Sequence, residues 1–335
     1  MKISIDGGAL CAPDDNQFGN YTFTYNLIRA IAKYGKKHQY YIYSFCSKDR
    51  SINLSRNMTF MKLKPRLFWS KLRVGIEELF RRKDLYLALN QSIPLMTFSN
   101  IISFSHGLSF KFYKGLYKNY DTLNEQLEEM VKNSDRIIVS SKRVKNEMAE
   151  IYPKIEKKIV VIPFGIPFEM LPPEKKVKKE KYFLHVGMDH PIKNVQFIIN
   201  AFKKLRKSKK YRDYKLYLAG YTRKVNDQNI KVFPFVERGA LRRMYQRATA
   251  LLTASHYESF NLPVLEALSQ KSQVVGLRGA IIPEFRPYVR SADDIEEFIE
   301  LMKKSINKPL RVKRHLAKDF SWNNYIKELE KTYEL

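Results

Sequence analysis

Within the stretch "HYESFNLPVLEALS", residues 256–269, Glu258 and Glu266 stand either side of a Phe-Asn-Leu-Pro sequence. Pro263 suits the first turn of a helix, where its missing N–H is no loss, so the spacing predicts a helix starting at 262–263. The peptide from Ser259 through Phe260 and Asn261 to Leu262 then lies at the positive end of that helix. Backbone N–H groups there, together with the helix dipole, suit a phosphate. Glu258, one step earlier, can reach hydroxyls on whatever the phosphate carries, and Glu266 can reach a ribose. Two acids around such a helix start fit a nucleotide sugar. By spacing alone they also read as a solvent-facing acid and a favourable glutamate in a first helical turn.

Three further residues have positions suited to the same chemistry. Lys193, in "HPIKN", follows an apolar run ending at Gly187 and so falls at a strand-to-helix turn; a lone lysine there also reads as a solvated charge. Gly19, with Asn20, opens a helical run, and a loop glycine lets backbone come close to a phosphate. His106 follows the apolar run 101–105, where a single histidine also reads as a hydrogen-bonded structural residue. Other chemistries lack their signatures: there is no D-x-D, H-E-x-x-H, paired C-x-x-C or G-x-x-x-x-G-K, and "IDGG" is not a dinucleotide fingerprint.

Glu258-Ser-Phe260-Asn261-Leu262-Pro263-Val-Leu-Glu266-Ala267 resembles the E-x-F-G-L-P-x-x-E-A signature of retaining glycosyltransferases of the GT-B fold, family 4. "IDGGAL…FGNYTFTYNL" resembles that family's opening strand and glycine loop, "FSHGLSF" its histidine turn, and "YFLHVGMDHPIKN" its Lys-Asn turn. The resemblance spans nearly the whole chain. It implies transfer of a hexose from a UDP- or GDP-sugar to a glycan or lipid-linked acceptor, in polysaccharide or glycoconjugate synthesis, with retention of configuration. It further implies that Glu258 and His106 stand at the reacting sugar and that Lys193 offsets the leaving diphosphate. Gly19, Ser259, Phe260, Asn261, Leu262 and Glu266 would contribute to donor binding, and neither metal nor cofactor is expected. The chain departs from the family pattern at Met188 (commonly arginine, with Arg242 or Arg243 as substitutes), Gly107 (commonly aspartate), Asn261 (glycine) and the opening loop, which keeps one glycine.

To position these residues, the sequence alternates short apolar runs with helical ones. Runs at 2–6, 40–45, 101–105, 136–140 and 158–165 form one series; those at 182–187, 215–220, 230–235, 248–255 and 272–277 form a second. Such alternation predicts an α/β protein with parallel sheets covered on both faces. The expected architecture is two doubly wound Rossmann-like domains, 1–164 and 165–319, facing a cleft, with a linker at 167–182. A final helix in 320–335 resembles the family's last one and would cross back to the first domain.

The chain has 61 Lys+Arg against 34 Asp+Glu, a formal charge of +27. The excess is spread over both halves, +12 in residues 1–165 and +15 beyond. Such a field attracts nucleic acid, anionic lipid or acidic small molecules without choosing among them. Segment 66–82, "RLFWSKLRVGIEELFRR", has Phe68, Leu72, Ile76, Leu79 and Phe80 at helical spacing and Lys71, Arg73, Arg81 and Arg82 on other faces. It reads as a core-packed helix with a wet basic face, or as a contact with an anionic membrane that sets Trp69 at the interface. No run approaches 18 apolar residues, nor does the start resemble a secretory signal. Cys11 and Cys46 share no motif spacing, which fits a reducing cytoplasm. The expected protein is therefore cytoplasmic or peripheral on a membrane, without specific nucleic acid. An inactive GT-B scaffold and a basic nucleic-acid-binding protein are the alternatives.

Overall fold

The computed structural model describes residues 1–13, 19–49, 51–90, 93–170, 177–309 and 316–334. Residues 14–18 of the opening loop and 171–176 of the expected linker lie outside this set. The chain forms two units, Met1–Gly165 with Phe320–Leu335, and Ile166–Asp319. The first unit holds β1 (Lys2–Asp6), β2 (Gln39–Ser44), β3 (Met58–Lys62), β4 (Leu85–Ala88), β5 (Asn100–Ser105), β6 (Arg136–Val139) and β7 (Ile159–Val161). The second holds β8 (Tyr182–Val186), β9 (Lys215–Ala219), β10 (Ile230–Phe233), β11 (Ala250–Thr253), β12 (Gln273–Leu277) and β13 (Arg290–Ala292).

The sheets run β3-β2-β1-β4-β5-β6-β7 and β10-β9-β8-β11-β12-β13, and every strand pair is parallel. Ile3, Ile5, Leu85, Leu87, Ile102 and Phe104 are buried in the first sheet, as Leu184, Leu218, Leu252 and Val275 are in the second. Helices cover both faces, hence the near-continuous apolar runs of the central strands. In each sheet the strand order reverses beside its first strand, between β1 and β4 and between β8 and β11. Ligands of doubly wound sheets bind at the carboxyl ends of the strands at that reversal.

Two sequence-based expectations in the first unit are corrected. Trp69 does not face an interface: it is buried in the core, its ring edge-on to Phe45. The helical stretch Trp69–Arg73 and Val74–Phe80 buries Glu77 and Glu78 beside Trp69 and Val74 and leaves Leu72, Ile76 and Phe80 exposed. Three of its basic side chains are ion-paired: Lys71 with Glu129 at 2.8 Å, and Arg73 and Arg81 with Glu77 at 3.2 and 3.3 Å. The second correction concerns the cysteines. Because β1 and β2 are parallel neighbours, the turns that follow them meet on one edge, and Cys11 and Cys46 form a disulfide with Cα atoms 5.5 Å apart. That pairing runs against the reading of reduced thiols.

The helix Trp322–Lys331, capped by Ser321 Oγ accepting from Asn324 N, belongs to the first unit. Trp322 and Tyr325 pack against Phe23, and Tyr325 also meets Phe164. Gly165 lets this helix dock: a Cβ there would stand 2.6 Å from Trp322 Cγ and 2.7 Å from its backbone nitrogen. Gly165→Ala should therefore cost about 1–3 kcal/mol by overpacking. Urea unfolding followed by tryptophan fluorescence measures this, and an unchanged midpoint would show that the helix does not rest on Gly165.

Candidate functional site

The second unit's reversal places the loops after β8 and β11 side by side, since those strands pair as Phe183–Ala250 and Leu184–Leu251. After β8 the chain makes a short turn, Pro191–Lys193, capped by His190 Nδ1 accepting from Ile192 N. After β11, His256 N donates to Ile192 O at 2.9 Å and so ties one loop to the other. This clamp brings Lys193 and Glu258 together: Lys193 Nζ donates to Glu258 Oε1 at 2.7 Å, and Ser255 Oγ donates to the same oxygen at 2.7 Å. Both side chains are mostly enclosed, so the pair is poorly screened, and deleting one partner strands the other charge. An ammonium has three donors, so Lys193 keeps donors for a ligand beside its bond to Glu258.

The helix expected at 262–263 begins at Leu262, with Pro263 in its first turn, and runs to Ser269. Asn261 precedes it in the left-handed conformation, φ +69°, which asparagine tolerates better than most residues. Its side chain donates to Thr253 Oγ1 and Ala280 O, fastening the helix start to β11. Phe260 is a core residue, its ring packed edge-on against Phe285. Ser259 and Leu262 are half-buried. Glu266 is buried deeper than its spacing alone conveys: Oε1 accepts from Arg238 Nη2 at 2.6 Å and Oε2 from the Tyr245 hydroxyl at 2.9 Å. Arg238 also reaches Glu169, at 3.1 Å. Arg242 and Arg243 lie on the same helix as Arg238, Arg238–Arg247.

Sequence reasoning missed Ser255, Arg238 and Tyr245, each of which orients a signature carboxylate. It also missed an ion pair on this rim, where Asp189 accepts from Thr222 Oγ1 at 2.8 Å and from Arg223 Nε at 3.0 Å. This pair joins the loops after β8 and β9, next to Met188. The only available signal was the position of those loops at strand ends.

In the first unit, His106 follows β5 and donates from Nε2 to Leu89 O at 2.6 Å, with Phe23 packed against its ring. Burial lowers its pKa, which keeps the imidazole neutral near pH 7. Gly107 has φ +123°, a region that disfavours the aspartate common at this place in the resembled family. Beside it, at the β1–β4 reversal, buried Asp6 accepts from Gly8 N at 2.9 Å and from Asn90 Nδ2 at 3.0 Å. Sequence reasoning did not single out Asp6 or Asn90. Gly19 is the first residue of the helix Gly19–Tyr34; it is exposed, and a Cβ there would meet nothing within 4 Å.

Residues 168–319 match the family model of glycosyl transferases group 1. Two curated relatives align with part of the chain. A probable sucrose-phosphate synthase of Thermosipho melanesiensis is 29% identical over 40% of this chain and 35% of its own length. An O-antigen chain mannosyltransferase B of Escherichia coli is 28% identical over 50% of each. The chain thus spans about a third to a half of these relatives' lengths. Among solved structures, Anabaena Alr3699/HepE in complex with UDP-glucose superposes with a TM-score of 0.74 at 10% identity, over 99% of each chain. This likeness is one of fold, that of the GT-B glycosyltransferases.

Behind the Lys193–Glu258 pair, His185 is buried on β8 with Nδ1 donating to Leu252 O at 3.1 Å. Burial pushes its pKa down to about 4, and the Lys193 charge adds to the shift. The unfolded chain protonates this histidine near pH 6.5, so between there and pH 4 it binds the extra proton and stability falls as pH falls. The loss should reach about 3 kcal/mol, and His185→Gln should remove that part of the slope. Urea midpoints at neutral and acid pH, taken for both proteins, give the comparison; identical slopes would mean that His185 is not held neutral.

Proposed function

We propose that this chain, whose second unit belongs to the glycosyl transferases group 1, moves a hexose from a UDP- or GDP-sugar to a glycan or lipid-linked acceptor with retention of configuration. The observation that carries this reading is the Lys193–Glu258 pair, held beside the helix start at Leu262 on the rim where the strand order reverses. A donor diphosphate fits Lys193 and that helix start, and Glu258 faces the hydroxyls of the sugar. Glu266, its carboxylate fixed by Arg238 and Tyr245, takes the ribose. The Anabaena neighbour, solved with UDP-glucose, supports a nucleotide-sugar donor.

In the proposed reaction the acceptor hydroxyl oxygen bonds to the anomeric carbon on the face from which the diphosphate leaves. The carbon–oxygen bond to the β-phosphate breaks, and the departing phosphate takes the acceptor proton. Lys193 and the helix start offset the negative charge that develops there, so no divalent metal is needed. Neutral His106, held by Leu89 O, supports the acceptor side on the first unit's rim.

Glu258→Gln keeps the shape of the side chain and loses the charge paired with Lys193. Turnover should fall by roughly 100-fold or more while the fold persists, a loss on the scale of a charged transition-state contact. Steady-state transfer with a panel of UDP- and GDP-sugars provides the measurement. A variant that retains more than about a tenth of wild-type turnover removes Glu258 from the reaction.

Lys193→Ala should weaken binding of the preferred nucleoside diphosphate by about tenfold or more, as expected for loss of a charge-assisted hydrogen bond. Isothermal titration in excess chelator tests this together with the metal requirement. Equal affinity in the two proteins would place Lys193 outside the donor site. Wild-type transfer that stops in chelator and returns with magnesium or manganese would contradict the proposed stabilisation of the leaving group.

A further inference from the structure

Of the eleven large hydrophobic side chains exposed among the described residues, eight fall between Leu67 and Phe98. They belong to two adjoining segments. Leu67, Phe68, Leu72, Ile76 and Phe80 line the outer side of the helical stretch that ends at Phe80, and Leu95, Met96 and Phe98 lie on the loop beside it. Leu95 N donates to Lys71 O at 3.1 Å, and a Cβ on Gly75 would stand 3.4 Å from Met96 O, so the loop runs against the helix. Phe80 is 85% exposed and Phe98 66%.

This orientation is fixed from the inside. Glu78 is fully buried, accepting from the Tyr43 hydroxyl at 2.7 Å and from Ser99 Oγ, and Glu77 holds Arg73 and Arg81. Rolling the helix to hide its apolar side would expose the core and break this network, leaving a buried tyrosine hydroxyl without its acceptor. Phe68 sits in the left-handed region, φ +49°, uncommon for a bulky residue, with its ring exposed. The apolar face is therefore built into the fold.

We infer that this face docks on an anionic lipid bilayer, with Phe68, Leu72, Ile76, Phe80 and the 95–98 loop entering the acyl boundary. The charge at its ends selects that occupant. Between residues 62 and 100 the exposed ionic side chains are Lys62, Lys64, Arg66, Arg81 and Arg82 against Asp84 alone. The first three precede the apolar stretch and the last two follow it, so cations at both ends meet headgroup phosphates while the middle sits in lipid. A second copy is a poor occupant, since each chain has a formal charge of +27 and would present the same basic rim to its twin. The inference deepens the lipid-linked acceptor reading, on which its purpose rests, and it replaces the expected basic-face contact by apolar insertion.

The test uses the full chain and sedimentation with phosphatidylcholine vesicles, with and without phosphatidylglycerol. Wild type should bind the anionic vesicles and keep part of that binding at high salt, because insertion is not screened. The triple variant Leu72→Gln, Ile76→Gln, Phe80→Gln alters exposed positions only and should keep the wild-type melting temperature. Its partition should drop about 100-fold or more, since each large apolar side chain withdrawn from water is worth roughly tenfold. In a separate Phe80→Trp protein, brominated lipid should quench the new indole and leave the emission of the buried Trp69 and Trp322 unchanged. A triple variant that binds as tightly as wild type, or an indole that is not quenched, overturns the inference. So does a wild-type dimer that the triple variant abolishes while neither protein binds vesicles. Donor hydrolysis, which needs no lipid, is measured alongside. Docking without hydrolysis refutes the transferase reading and upholds the surface; hydrolysis without docking refutes the surface alone.

Discussion

The reversal of strand order between β8 and β11 is the constraint on which the second unit's chemistry depends. Where a sheet winds both ways from one strand, the helices that follow the two adjoining strands go to opposite faces and leave a gap at their carboxyl ends. The loops that edge this gap are the ones that carry Lys193 and Glu258. A backbone hydrogen bond, His256 N to Ile192 O, ties these loops together. Neither residue could be exchanged with a position at the other end of the same strands, where no gap forms. The first sheet repeats the geometry with different residues. There Asp6 and Asn90 bridge β1 and β4, and His106 is fastened to Leu89, the residue before Asn90.

Buried charge is the means by which both units orient their surfaces. In the second unit, Glu266 is held by Arg238 and Tyr245, and Glu258 by Lys193 and Ser255. In the first, Glu78 is held by Tyr43 and Ser99, and the result is a helix that buries two acids beside Trp69 and Val74 and leaves Leu72, Ile76 and Phe80 exposed. Each carboxylate is costly to bury and costly to strip of its partners, so each arrangement has one low-energy orientation. An apolar pair of the same volume is often no less stable, so what these charges add is directional hydrogen bonding. For the proposed sugar site and the proposed docking face, a fixed orientation is what these charges contribute.

Local chemistry was legible in the sequence, and long-range partnership was not. The central strands β1, β5, β8 and β11 read as apolar runs because both of their faces are covered, and the helix at Leu262 read from Pro263 and the acids around it. β3, β4 and β13 escaped for separate reasons. β13 is three residues with one buried side chain, β4 is four residues directly behind a basic run, and β3 is an edge strand with only Met58 buried. Arg238 is 28 residues from Glu266 along the chain, and nothing in either neighbourhood announces the pair. The helix ending at Phe80 shows the limit most sharply. Periodicity establishes that its two faces differ, but which face is buried depends on Tyr43 and Ser99, contributed by β2 and by the loop before β5.

The departures from the resembled family's pattern become intelligible in the same terms. Asn261 stands in a left-handed conformation, so it preserves the backbone that glycine would give and adds two hydrogen bonds to β11 and Ala280 that glycine cannot make. Gly107 works in reverse: its φ of +123° suits glycine and strains a residue with a side chain, so the change from aspartate alters backbone as well as charge. Met188 removes a cation next to the strand end, yet the neighbouring residue, Asp189, holds Arg223 from the adjoining loop. The rim therefore keeps its positive groups in pairs with carboxylates: Lys193 with Glu258, Arg223 with Asp189, Arg238 with Glu266. A ligand bearing two phosphates would meet cations whose charge is already partly offset, and would gain most where a cation has donors to spare. Lysine, with three N–H groups on a rotatable head, can keep its carboxylate and still donate to a phosphate. Of the three pairs, this makes Lys193–Glu258 the best suited to hold its geometry both before and after a diphosphate arrives.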